Sequence, residues 1–402
     1  MPFDLITGAA VIGQSGGPTA VINQSLVGVV EALRGAGAIT SVLGARNGVR
    51  GMVEGRFVDL ASLSVDHLER IAATPSAALG SSRDKPDHAY CERIFEVFER
   101  NNVRYFFYIG GNDSSDTCRI INDLSDASGY ELRCFHIPKT IDNDLVCNDH
   151  TPGYPSAARF VAKAFMGDNL DNASLPGVKI DIVMGRHAGF LTAAAALARQ
   201  REGDGPHLIY CPERPFEPER FVADIDRVFT EHGRCLVAVS EGIANAEGES
   251  IAAMMASSAE KDAHGNVQLS GSGALGDFLA NLVKIELTPA GGKPPRVRAD
   301  TFGYLQRCFP DASDVDQAEA RAAGAKAAEV AMSGDKDGSI AIERVSNEPY
   351  QSRMKLLKLT DVAAKTKHMP DEFISDSGCD VTAAFLEYAK PLVGELPGMG
   401  GV

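Results

Sequence analysis

Pro138-Lys139-Thr140-Ile141-Asp142-Asn143-Asp144 is the stretch on which the fold of this chain turns. The apolar run before it, Leu132 to Ile137, has the length and composition of a buried parallel strand. A lysine, a hydroxyl and two carboxylates therefore leave the carboxyl end of a strand together, at the edge where open α/β sheets hold their ligands. One carboxylate suits a hard divalent cation such as Mg²⁺, and the other can take a proton from an attacking hydroxyl. Asp and Asn are also ordinary turn residues, and a capped turn accounts for Asp142 or Asp144 taken alone. The company of Lys139 and Thr140 favours chemistry.

Working back toward the N-terminus, two more strand ends carry loops of this kind. Val103 to Ile109 is a strongly apolar strand followed by Gly110-Gly111-Asn112-Asp113-Ser114. Leu5 to Ile12 reads as a first strand, followed by Gly13-Gln14-Ser15-Gly16-Gly17-Pro18 and a helical pattern from Thr19 to Leu33. Glycines there let backbone N–H groups approach an anion, and the helix N-terminus adds a favourable dipole. A tight βα turn explains that loop equally well in isolation. Thr40 to Ala45 is a further strand, and Asp87 to Arg100 a helix. Ala77 to Arg83 is a small-residue loop delivering one arginine, Arg83, which alone reads as solvated surface. Polar or glycine-rich loops converging on one sheet edge predict a phosphate-binding cleft.

Beyond the central stretch the βα alternation repeats and predicts a second doubly wound lobe. Pro155 to Leu170 is helical; Val178 to Val183 is a strand running into Met184-Gly185-Arg186; Leu191 to Gln200 is helical. His207 to Cys211 and Arg234 to Val239 are strands, the latter running into Ser240-Glu241-Gly242. Ser272 to Leu287 is a helix whose start contains a formal GxGxxG, Gly271 to Gly276. Only Val267-Gln268-Leu269 precedes it, so a dinucleotide site is rejected. Arg296 to Arg307 is an extended segment in which alternation puts Arg296, Arg298 and Asp300 on one face. That is a solvated edge strand or an anion clamp. Ser313 to Met332 is a helix, Gly338 to Arg344 a strand, and the chain from Glu372 a surface helix and tail.

The 402 residues leave room for two or three domains. With 44% hydrophobic and 23% charged residues the composition is that of a soluble globular protein. The net charge of −15 argues against nucleic-acid binding. No segment reads as a signal peptide or membrane span, so no membrane partner is expected. Eight scattered cysteines without a CxxC read as buried thiols of a reducing cytoplasm. The histidines lack metal-ligand spacing, and GxSxG is absent.

In order, Ser15-Gly16-Gly17, Gly80-Ser81-Ser82-Arg83, Gly110 to Ser114, Pro138 to Asp144, Met184-Gly185-Arg186, Ser240-Glu241-Gly242 and Gly303-Tyr304-Leu305-Gln306-Arg307 resemble the phosphofructokinase family. The resemblance spans most of the chain and is nearest to the pyrophosphate-dependent branch. Asp113 and Lys139 stand where the ATP-using branch has glycines, and Tyr304 where it has a histidine. Two departures stand out. Asn112 replaces an aspartate that contacts Mg²⁺, and no arginine near Gly177 matches one that holds the sugar 6-phosphate, Lys179 being the available substitute.

The resemblance implies an α/β chain of two doubly wound Rossmann-like lobes with the active site in the cleft between them. Residues 1–152, with about 308–345 returning, would bind the phosphoryl donor. Residues 153–307 would bind fructose 6-phosphate, with 346–402 as a C-terminal extension. It implies transfer from pyrophosphate (diphosphate) to the 1-hydroxyl of fructose 6-phosphate. Gly16, Gly17, Arg83 and Lys139 would bind diphosphate, and Asn112 and Asp144 the Mg²⁺. Asp142 would be the base, with Thr140, Lys139 and Asp113 in the catalytic group. Met184, Gly185, Arg186 and Glu241 would orient the sugar, and Arg298, Tyr304 and Arg307 would grip its 6-phosphate. Relatives supply the arginine matching Arg298 from a neighbouring subunit, which implies a homodimer or homotetramer. ATP as donor, or a non-catalytic sugar-phosphate-binding paralogue, are the rival expectations. An Asp113–Lys139 surface ion pair is the rival reading of those two residues.

Overall fold

Val103–Gly110, VRYFFYIG, is buried almost throughout, and it forms the middle strand of a 7-stranded sheet. The computed structural model describes residues 5–255 and 273–400. Val267-Gln268-Leu269, Gly271 and the start of the Ser272 helix lie outside the described residues. The chain divides into two units, 1–156 with 307–366 and 157–306 with 367–402. The strands in chain order are β1 (Gly8–Gln14), β2 (Ile39–Ala45), β3 (Phe57–Asp59), β4 (Val103–Gly110), β5 (Arg133–Pro138), β6 (Val178–Val183), β7 (Leu208–Tyr210), β8 (Cys235–Ser240), β9 (Val297–Thr301), β10 (Asp337–Asn347) and β11 (Tyr350–Leu357). Both units are Rossmann-like α/β lobes.

The first sheet has the order β11-β10-β5-β4-β1-β2-β3. Its five inner strands run parallel, and β3 and β11 close the two edges antiparallel. Parallel strands buried on both faces need continuous apolar sequence, which β4 supplies. Tyr105, Phe107 and Ile109 join Phe135 and Ile137 under the helices Ile22–Leu33 and Asp314–Ser333. Phe106 and Tyr108 face the opposite way, against Ile94, Phe98, Cys118 and Ile121 of the helices His88–Arg100 and Asn112–Ser128. The two helices on the first face cross closely. A Cβ on Gly28 would stand 2.1 Å from the Arg321 carbonyl oxygen, and one on Gly324 2.1 Å from that of Ser25. After β1 the chain moves outward to β2, then returns to lay β4 on the other side of β1. That reversal is a topological switch point, which puts a binding crevice at the carboxyl ends of β1 and β4.

The second sheet, β7-β8-β6-β9, is wholly parallel. The helices Pro218–His232 and Ala274–Glu286 cover one face through Phe221, Ile225, Leu279 and Val283. Its strand order also reverses about β6, between β8 and β9.

Four features differ from the sequence reading. Gly110 to Ser114 is no extended loop, because the helix Asn112–Ser128 begins within it. Residues 350–357 are β11 of the first unit rather than part of an extension of the second. The alanine-rich helix after Met184-Gly185-Arg186 is short, Phe190–Ala193, and tightens into the 3₁₀ turn Ala194–Ala198. The C-terminal helix Ala383–Val393 is not a surface element on all sides, since it buries Phe385, Tyr388, Ala389, Leu392 and Val393. Phe373 contacts Phe385 and Tyr388 with ring centroids 5.7 and 5.2 Å apart. Of the cysteines, Cys147 is exposed and Cys308 half-buried; the other six are buried. No described helix is long and apolar enough to cross a membrane.

Candidate active site

In the first unit the strand register does the assembling. Gln14 lies opposite Ile109, and Gly110 opposite Pro138, so three chain segments leave the sheet side by side. Backbone bonds carry the alignment past the strand ends: Ser15 N–H to Ile109 O at 2.9 Å, and Lys139 N–H to Gly110 O at 3.0 Å. Ser114 Oγ donates to Ser15 Oγ at 2.9 Å, joining the first two segments. His136 braces the base of the arrangement. It is fully buried, with Nε2 2.9 Å from Gly110 O and Nδ1 2.8 Å from Ser339 Oγ. Burial pulls its pKa down to about 4, so the ring is neutral and donates once and accepts once.

Gly16 has φ +72°, a left-handed conformation that suits glycine. Its N–H is held by Ser82 O at 3.0 Å and its carbonyl by Ser81 Oγ at 2.6 Å, so the loop bearing Arg83 is tied to Gly16. Lys139 is 3% exposed, and its Nζ donates to Gly17 O at 2.8 Å. A Cβ on Gly17 would lie 2.8 Å from the guanidinium carbon of Arg307. Burial first, then the charges of Arg307 and Arg83 against those of Asp142 and Asp144, lower the Lys139 pKa to about 7. Gly16, Gly17, Arg83, Lys139 and Arg307 are thus one cationic, backbone-lined cluster, which is what an anionic donor requires. Arg307 lies in the first unit with Gly17, whereas Arg298 and Tyr304 lie in the second.

The Thr140 hydroxyl accepts the Asp142 N–H at 3.1 Å, and buried Asn143 takes φ +60°, turning the chain so that Asp142 and Asp144 are both half-buried. Asn112, in the first turn of its helix, donates from Nδ2 to Asp144 Oδ2 at 3.4 Å. Its Oδ1 is buried and has no hydrogen-bond partner among the described residues. An unsatisfied amide oxygen beside a carboxylate fits Mg²⁺, which takes few protein ligands and fills its shell with substrate phosphate and water. No larger cluster of metal-ligating side chains occurs among the described residues. Asp113 is exposed in the same helical turn, where the dipole favours a carboxylate, and it pairs with Lys85 at 3.0 Å. With Lys139 bonded to Gly17, a simple Asp113–Lys139 surface pair does not describe them.

In the second unit, Val183 lies opposite Ser240, so Met184-Gly185-Arg186 and Glu241 emerge together. Glu241 N–H donates to Val183 O at 2.8 Å. Ser240 Oγ donates to Gly185 O at 2.7 Å and accepts the Gly242 N–H at 3.0 Å. Gly185 has φ +126°, and a Cβ on Gly242 would come within 2.1 Å of Arg186 O. Gln306, 1% exposed, accepts the Met184 N–H at 3.3 Å, which ties the Gly303–Arg307 turn to this loop. Ser240 and Gln306 stand inside motifs quoted from the sequence, but their hydrogen bonds to this loop carry no sequence signal. Arg298 and Asp300 lie on the exposed face of β9, at the sheet edge, and Tyr304 is 43% exposed. Lys179 does not offer a free ammonium for a 6-phosphate: it pairs with Asp300, with Asp181 at 3.3 Å and with Asp168 at 3.8 Å.

Residues 9–331 match the model of the family described as Phosphofructokinase. The chain belongs to the phosphofructokinase family. It is 56% identical over 391 residues to the pyrophosphate–fructose 6-phosphate 1-phosphotransferase of Rhodospirillum rubrum, covering 97% of this chain and 95% of that protein. It is 38% identical over 394 residues to the enzyme of the same name from Halomonas elongata, covering 96% and 91%. Among solved phosphofructokinases, the pyrophosphate-dependent one of Marinobacter aquaeolei matches with a TM-score of 0.84 at 35% identity, covering 98% of this chain and 94% of that one.

Proposed function

We propose that the chain transfers a phosphoryl group from pyrophosphate to the 1-hydroxyl of fructose 6-phosphate, giving fructose 1,6-bisphosphate and phosphate, reversibly. The activity carried by the names of the relatives at 56% and 38% identity supports this reading. The observation in this chain that carries it is the buried Lys139 on Gly17, with Arg307 and Arg83 beside it and Asp113 at the start of the adjoining helix.

Donor and acceptor are both polyanions, so repulsion has to be cancelled before they meet. Gly16 and Gly17 with Arg83 and Lys139 hold the pyrophosphate. Asn112 and Asp144 would hold a Mg²⁺ ion, which when bound neutralises donor oxygens. Met184, Gly185, Arg186 and Glu241 orient the sugar; Arg298 and Tyr304 take its 6-phosphate. Arg307, which stands beside Gly17, takes the 6-phosphate with them. Asp142 accepts the proton of the 1-hydroxyl as that oxygen bonds to phosphorus and the bridging P–O bond breaks. Thr140 steadies the group in transit, and the Lys139 ammonium meets the charge gathering on the departing phosphate.

Donor choice follows from size and charge. A nucleotide extends past the second phosphate, and Asp113 puts both bulk and like charge in that direction. Pyrophosphate ends before it. Arg298, exposed on an edge strand, is available to a second copy of the chain, consistent with a homodimer or homotetramer. Eight cysteines outside any disulfide support a reducing, cytoplasmic location. A coupled assay for fructose 1,6-bisphosphate with pyrophosphate or ATP as sole donor tests the reading. Turnover with pyrophosphate supports it; turnover with ATP alone, or with neither, overturns it.

A further inference from the structure

We propose that His150 is a positioning residue for the catalytic turn: it is held as an imidazolium between Asp149 and Glu319, and so fixes the two residues that grip the Thr140 backbone. The inference rests on the reading of Thr140 and Asp142 given above, but its geometry stands alone. His150 is fully buried, with Nδ1 2.8 Å from Asp149 Oδ2 and Nε2 2.5 Å from Glu319 Oε2. A carboxylate only accepts hydrogen bonds, so both ring nitrogens have to carry protons.

The two carboxylates are themselves fixed. Glu319, on the helix Asp314–Ser333, accepts from Tyr350 Oη at 2.6 Å and Ser352 Oγ at 2.5 Å, both on β11. Asp149 accepts from Arg344 Nη2 of β10 at 2.9 Å, and Arg344 lies over the Tyr350 ring at 5.2 Å. Imidazolium and guanidinium therefore balance two carboxylates inside the fold. Of the other titratable groups facing the cluster, Asp316 is fully buried and accepts from Gly153 N–H at 2.8 Å, and Tyr154 is fully buried. Burial raises the Asp316 pKa to about 6.

From His150 the constraint passes directly to the catalytic turn. Thr151 Oγ1 donates to Thr140 O at 2.8 Å, and Pro152 O accepts the Thr140 N–H at 3.2 Å. Both backbone polar groups of Thr140 are thus held by the two residues that follow His150, and Thr140 Oγ1 in turn holds the Asp142 N–H. The donor side is anchored separately, through Lys139 and Gly17. Nothing in the proposed chemistry requires a charge at position 150. Loss of it would leave one carboxylate oxygen facing a ring lone pair at hydrogen-bond distance, and the turn would be free to shift. Burial works against the charge, but the hydrogen bonds and charges of Asp149 and Glu319 outweigh it and hold the pKa up at about 9. The contribution is therefore complete below the ordinary imidazole range and is lost as pH rises through that value.

The test uses the full-length enzyme in two arms. In the wild type, ¹⁵N NMR of the histidine ring should show both His150 nitrogens protonated at pH 7.5; a neutral ring overturns the proposal whether or not the protein has activity. In His150→Gln, exchange of the Thr140 amide should quicken relative to that of the neighbouring strand β5. The turnover number with pyrophosphate should fall on the order of 10- to 100-fold, as for a sub-ångström to one-ångström misplacement, with KM for fructose 6-phosphate within about twofold. The wild-type loss of turnover above about pH 9 should vanish in the variant. Unchanged amide exchange with an unchanged turnover number overturns the proposal, as does a loss that tracks only the folded fraction. A wild type that shows the imidazolium and the protected amide but no pyrophosphate turnover would overturn the assigned reaction and leave the positioning intact.

Discussion

A lysine buried among other cations sits near neutrality, and pyrophosphate binding should therefore draw a proton onto it. Lys139 titrates at about 7 in the ligand-free protein, for reasons of burial and of Arg307 and Arg83 nearby. At pH 8 such an amine is ~90% neutral, and at pH 6 ~10% neutral. Anionic donor oxygens next to Gly17 reverse the electrostatic part of the shift and return the group toward its ordinary range. Binding should then take up ~0.9 proton at pH 8 and ~0.1 at pH 6 on account of this residue. Pyrophosphate and its Mg²⁺ complex titrate too, so Lys139→Arg is the reference, since a guanidinium stays charged throughout. Calorimetric titration in two buffers of different ionisation enthalpy measures uptake in each protein, and the wild-type excess is the quantity of interest. It should climb from near zero to nearly one proton between those pH values. Equal uptake in wild type and Lys139→Arg at pH 8 would refute the assignment of Lys139 as a depressed cation facing the donor.

Three further outcomes follow from the same geometry. Asp142→Ser should leave fructose 6-phosphate binding intact, measured by titration, and lower the turnover number by roughly two to four decades, the range for a positioned base; near-wild-type turnover would reject it as the base. Asp113→Gly removes the carboxylate paired with Lys85 and should raise the ATP-to-pyrophosphate ratio of kcat/KM; an unchanged ratio would leave donor choice unexplained by this residue. Arg298→Ala should raise KM for fructose 6-phosphate far more than KM for pyrophosphate, in initial-rate measurements varying each substrate in turn, and the opposite order would overturn its placement on the acceptor.

The alternation of apolar runs and glycine-rich loops was legible because parallel strands buried on both faces must be apolar end to end, as β4 and β5 are. Once those strands are read, their carboxyl-end loops follow, and with them Gly16, Lys139, Asp142 and Glu241. The helix Asn112–Ser128 was hidden because the face it buries is largely Ser114, Ser115, Thr117 and Ser125, which carry no apolar periodicity. β11 was hidden for a related reason: it is an edge strand, YQSRMKLL, with no residue fully buried. The Arg307 guanidinium is placed by the turn that carries it back to the first unit, which local sequence does not encode. His150 bonds Glu319, 169 positions further along the chain, and a buried charge network of that kind has no local signature.

Pyrophosphate, and not a nucleotide, is the phosphoryl donor proposed for this chain. The most direct measurement is ³¹P NMR of the enzyme with fructose 6-phosphate, Mg²⁺ and equimolar pyrophosphate and ATP in one tube. The pyrophosphate resonance should decay while inorganic phosphate and the new 1-phosphate ester grow in step, with the γ-phosphate of ATP undiminished. Decay of the γ-phosphate with pyrophosphate constant would contradict the account.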